Sequence, residues 1–73
     1  MKLSTFKRKF NKAYKLNHDV FIDFKGGFFI ADSYECVIDN VKREIQIHLY
    51  KNDNIRQNNY IGTIILSEIT EVS

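Results

Sequence analysis

The chain has 73 residues, the size of one domain. Its single cysteine, Cys36, excludes an intramolecular disulfide, and no apolar run approaches the ~20 residues that span a bilayer. The formal charge of +2 conceals two opposed parts. Residues 1–17 hold six basic residues and no acid, whereas residues 18–73 hold five basic residues against nine acidic ones.

A domain of this size buries a limited share of its surface. With disulfides excluded, it relies on packing, self-association or a partner. Cys36, His18 and His48 show no ligand spacing for a four-coordinate zinc, so neither a metal nor a cofactor is expected. The basic start is not followed by the apolar stretch of a signal peptide. A cytoplasmic protein is expected, where a reduced Cys36 is ordinary.

Residues 3–17 follow a helical period. At ~100° per residue, Leu3, Phe6, Phe10, Ala13 and Tyr14 share one side, and Arg8, Lys9, Lys12 and Lys15 share the other. Ser4 is the natural N-cap and Asn17 a suitable terminator. Lys7 and Arg8 lie in the first turn, where the helix dipole favours acids. Fold stability alone does not call for that order, which points to an acidic neighbour or partner.

From Val20 the period changes to two. Val20, Ile22 and Phe24 alternate with Phe21 and Asp23, and Lys25-Gly26-Gly27 reads as a tight hairpin turn. Phe28 to Ile38 is a long second strand whose alternation fails around Asp32 and Ser33, the sign of a bulge or bend. A turn over residues 39–43 leads into a strand from Glu44 to Tyr50, with Ile45, Ile47 and Leu49 inward. A polar loop from Lys51 to Asn59 precedes a fourth strand, Tyr60 to Leu66. Residues 67–72 read as a short turn and an edge strand with Ile69 and Val72 inward.

The expected fold is therefore α+β: an N-terminal amphipathic helix, then a four- or five-stranded antiparallel sheet, either open or curled into a small barrel. Leu3, Phe6, Phe10 and Tyr14 would cover a face built from Val20, Ile22, Phe24, Ile45, Ile47, Leu49, Ile61 and Ile65. The strand, glycine turn and strand over residues 19–28, with the closing stretch 64–72, resembles the order of Sm-like and other SH3-like small barrels. The aspartate and asparagine pattern with which Sm-like proteins hold RNA does not follow the second strand, so the resemblance implies topology and no RNA-binding residues.

The chemistry-bearing residues do not assemble a catalytic set. His18 sits at a junction, Cys36 within an apolar strand, and His48 on an outward strand face. The serines lack a nucleophile elbow, and the glycine pair is not followed by the helix of a phosphate loop. Asn52-Asp53-Asn54 lacks the spacing of a calcium loop. No enzyme is expected. Two surfaces remain. Arg8, Lys9, Lys12 and Lys15 form a cationic stripe suited to phosphates or an acidic protein surface, against the ordinary reading of a solvated face. Phe21, His48, Tyr50 and Tyr60, with Tyr34 as a further candidate, form an aromatic outward sheet face that suits a host protein, a second copy of the chain, or stacked bases. Membrane association is not expected, because the apolar helix stripe is needed for the core.

The opening MKLSTFKRKF, the strand-rich body, and a composition rich in Lys, Asn and Ile without Pro or Trp resemble accessory proteins of low-GC bacterial phages and prophages. That group includes host-takeover and anti-CRISPR inhibitors. The resemblance implies a non-enzymatic protein that occludes a host partner. The alternative is a small nucleic-acid-binding protein that uses the helix face.

Overall fold

In a computed structural model, residues 1–52 and 59–73 are described. The helix α1 spans Leu3–Asn17, and the strands follow as β1 (Val20–Phe24), β2 (Gly27–Ala31), β3 (Ser33–Asp39), β4 (Glu44–Lys51), β5 (Asn59–Ile65) and β6 (Ile69–Val72). A 3-10 turn, Leu66–Glu68, joins β5 to β6. The strands form two antiparallel three-stranded sheets, ordered β2-β1-β6 and β3-β4-β5. The outer strands β5 and β6 do not pair, so the sheets do not close into a barrel.

The expected long second strand is two strands that meet at Asp32. This residue turns the chain from one sheet into the other. Its backbone N–H donates to the Tyr50 carbonyl at 3.0 Å, and its carboxylate accepts the Asn52 N–H at 2.9 and 3.1 Å. One aspartate thus satisfies the backbone that the bend exposes and fixes the end of β4 against it. The count of six strands among the described residues, against the four or five expected, follows from this bend.

Each turn has a local cause. Lys25 and Gly26 form a two-residue loop between the paired Phe24 and Gly27, and Gly27 takes a φ of 146° that side chains disfavour. Between β3 and β4, the Asp39 carboxylate accepts the N–H groups of Val41 (3.0 Å) and Lys42 (3.1 Å), and Arg43 closes the turn at φ 55°. The helix starts two residues earlier than a Ser4 cap implies. Lys2 occupies the cap position in extended backbone, without a side-chain cap, and its carbonyl accepts the Phe6 N–H at 2.9 Å. At the other end Asn17 is still helical. His18 takes the left-handed conformation (φ 59°), donates its N–H to the Tyr14 carbonyl, and stacks its ring on Tyr14 at 4.9 Å.

The core joins Phe6, Phe10 and Ala13 of α1 to Val20, Ile22, Ala31, Ile47, Leu49, Ile64, Leu66, Ile69 and Val72. Tyr14 is not part of it: the residue is 41% exposed, and Leu16 in the last turn of the helix is more exposed still. Tyr34 takes an inward place, edge-on to Phe6 at 5.0 Å and to Phe10 at 4.7 Å. Desolvation, with Cys36 nearby, raises its phenol pKa above the ordinary value. In β5 it is Ile64, opposite Ile47, that is buried, while Ile65 faces Gln46 on the other side. A register shift between Leu49 and Tyr50 leaves Ile61 as the extra residue and breaks the simple alternation that would pair Ile61 with Ile65.

The aromatic pair Phe24–Phe29 stacks at 5.4 Å between two glycines. A Cβ on Gly26 would lie 3.0 Å from Phe24 Cε2, and a Cβ on Gly62 would lie 2.7 Å from Phe29 Cζ. Both glycines therefore make room for rings, one on each side of the stack.

Candidate functional site

Two surfaces gather most of the candidate side chains named from the sequence. The first is the outer face of the β3-β4-β5 sheet. The register sets Glu35, His48 and Thr63 in one row, and Ser33, Tyr50 and Tyr60 in the next. Successive strand residues alternate faces, so these rows point away from the buried Ile47 and Leu49. Tyr50 and Tyr60 meet edge-to-face at 5.8 Å, and His48 lies 6.1 Å from Tyr60. Tyr60 is 58% exposed.

Polar contacts fix these rings. The Tyr60 and Thr63 hydroxyls are hydrogen-bonded, the Tyr50 hydroxyl approaches the Glu35 carboxylate at 3.5 Å, and His48 Nε2 contacts Gln46 Oε1 at 3.1 Å. Gln46 in turn donates to Glu44 at 3.1 Å. Partial desolvation, followed by the Glu35 charge and its hydrogen bond, raises the Tyr50 phenol above its ordinary pKa, so it remains a neutral donor at physiological pH. The face is aromatic at its centre and acidic along the Glu35 and Glu44 side.

Of the residues expected on one aromatic face, the structure gathers His48, Tyr50 and Tyr60 and separates the others. Phe21 lies on the β2-β1-β6 sheet, stacked with Phe28 at 5.9 Å, because the Asp32 bend sends β1 and β4 into different sheets. Tyr34 is inward, as described. Glu35 was missed by the sequence reading, although counting outward from the Asp39–Glu44 turn places it opposite His48.

The second surface is the cationic side of α1. Arg8, Lys12 and Lys15 are exposed and make no ion pair among the described residues. Lys9 differs: it is partly buried and bonds the Glu71 carboxylate of β6 at 2.9 Å. Glu71 also accepts the Val72 N–H at 2.9 Å. The Lys9 hydrogen bond, then the backbone bond, then the Lys9 charge hold the Glu71 carboxyl below its ordinary pKa. Lys9 thus belongs to the seam between helix and sheet. A second seam pair, Lys51 with Asp19, ties the end of β4 to the start of β1.

The reactive side chains stay apart. Cys36 pairs with Ile47 on the inner face, whereas His48 is on the outer one. No group of three or more His, Cys, Asp or Glu is placed to hold a metal among the described residues. Of the Asn52-Asp53-Asn54 stretch, only Asn52 is described; the rest lies outside the described residues. No helix among the described residues is long and apolar enough to cross a membrane. Compared with protein-family models, curated proteins and solved structures, the chain finds no match.

Proposed function

We propose that this chain is a non-enzymatic interaction protein that binds a protein partner through the outer face of the β3-β4-β5 sheet. The observation that carries the reading is the edge-to-face pair of half-buried Tyr50 and exposed Tyr60, beside His48 on the outer face of the sheet. Tyrosines held by cross-strand contacts offer large apolar area at small entropic cost, as interface anchors do. The acidic flank, Glu35 and Glu44, favours a partner with arginine or lysine beside an apolar patch. In the phage setting that the resemblance implies, such a protein acts by occluding a host surface.

The helix supports the nucleic-acid alternative less well. With Lys9 engaged by Glu71, three open cations remain on the stripe, and three phosphate contacts give weak binding with a shallow salt dependence.

The test is affinity capture from a bacterial lysate, with the chain carrying a photocrosslinker at Thr63 and with Tyr50→Ala and Tyr60→Ala controls. A stoichiometric crosslinked protein that both alanine variants lose supports the reading. Capture unaffected by both variants, or crosslinks to nucleic acid alone, would overturn it.

A further inference from the structure

Between α1 and β6 lies an open cleft of about 320 Å3, at the lower end of the size range of ligand sites. Its apolar part is Ala13, Leu16 and Val72, and its charged part is the basic side of the helix. Ala13 and Val72 are buried, but Leu16 is 80% exposed. A large aliphatic side chain in the last turn of the helix, beside a cleft, has no role in the core. Arg8 and Lys12 stand one helical turn apart on the rim.

The local acid does not neutralise that rim. Glu71 is already shared between Lys9 and the Val72 N–H. The same contact closes the edge of β6. Phe21 and Ser73 exchange both backbone hydrogen bonds, so the intervening Val72 N–H points away from β1, where the Glu71 carboxylate takes it. An occupant therefore cannot add to β6 as a further strand through that donor. It must be held by side chains.

We infer that this cleft binds an acidic segment of a partner protein, with an apolar side chain set on Leu16, Ala13 and Val72 and carboxylates set on Arg8 and Lys12. Charge complementarity selects the class, and the exposed leucine selects within it. A phosphate backbone would use the cations and leave Leu16 in water. The helix of a second copy does not qualify, since residues 1–17 contain no acid. The site is separate from the Tyr50–Tyr60 face and shares no residue with it.

The experiment is fluorescence anisotropy at about 50 mM salt, where surface charges are weakly screened. Three short fluorescein-labelled peptides serve as probes: one with glutamates and leucines on one helical face, one with serine replacing leucine, and one with glutamine replacing glutamate. The glutamate–leucine peptide is expected to bind, and the other two at least tenfold more weakly. Leu16→Ser should weaken binding about tenfold, the effect of leaving one leucine-sized contact unburied. Arg8→Glu and Lys12→Glu should each weaken it about fivefold or more, with Arg8→Lys close to wild type. All three positions are exposed, so circular dichroism should show folded variants. Tyr50→Ala should leave peptide binding unchanged, which separates this site from the sheet face. Equal binding of the serine peptide, indifference to Leu16→Ser, displacement by a DNA duplex that itself binds independently of Leu16, or no saturable binding at all would each overturn the inference.

Discussion

Gly62→Ala tests the packing of the ring stack through the sign of its effect. Gly62 has no positive φ, so backbone arguments alone predict a gain of about 0.4–1 kcal/mol, because alanine restricts the unfolded chain. The contact geometry predicts the opposite. The new Cβ would meet Phe29 Cζ at 2.7 Å and both Cε atoms at 3.1 Å, well inside the ~3.5–4.0 Å of favourable carbon contact. Phe29 is not a free rotor, since its ring stacks on Phe24, which itself lies against Gly26. Overpacking of this kind costs about 1–3 kcal/mol. The net expectation is a loss of about 1–2 kcal/mol, which for a domain of this size lowers Tm by roughly 5–15 °C. Thermal melts followed by circular dichroism read it directly. A Phe29→Leu background should abolish the loss, and the double-mutant cycle isolates the pair. A Gly62→Ala protein that melts at or above the wild-type temperature would show that the ring has room and that the reasoning is wrong.

Three further outcomes follow from the core and the seam. Phe6→Ala removes a fully buried ring that touches Phe10 and Tyr34 and should cost about 3–5 kcal/mol, a large part of what a domain of this size possesses; urea unfolding measures it. Ser33 Oγ is buried without a hydrogen-bond partner among the described residues, so Ser33→Ala should be neutral or stabilising by up to about 1 kcal/mol in the same assay. Because folding lowers the Glu71 pKa, its contribution to stability is complete above the unfolded value and is lost as pH falls through the lower folded value. Melts from pH 7 down to about pH 3 should therefore show a smaller acid-induced drop for Glu71→Gln than for the wild type; parallel curves would remove the Lys9–Glu71 bond from the account.

Much of the architecture was legible because it is local. The 3.6-residue period marks α1 from residue 3 to residue 17, the glycine turn separates β1 from β2, and the broken alternation at Asp32 and Ser33 marks the bend. What was not legible depends on how elements cross. Tyr14 continues the apolar stripe, but only the sheet position decides that it overhangs. Ile65 and Ile64 exchange roles because a bulge opposite Tyr50 shifts the phase, and nothing in the strand's own composition signals it. Phe21 and Tyr50 both alternate outward, yet outward means two different faces once the chain turns at Asp32. Lys9 reads as one more solvent cation until Glu71, 62 residues away, is placed beside it.

That last separation bears on the order in which the molecule assembles. The β1–β2 and β3–β4 hairpins close over few residues and can form while the rest of the chain is still extended. The helix is made before the strands during synthesis, but it rests partly on β6, which emerges last of the described strands. Its final docking must therefore wait for Ile69–Val72 and bring Lys9 and Glu71 together. Contacts that close so long a stretch of chain are expected to form after the folding transition state and to stabilise the native state alone. The Lys9–Glu71 seam should thus act as a latch on unfolding: loosening it shortens the lifetime of the folded protein and leaves its folding rate nearly unchanged.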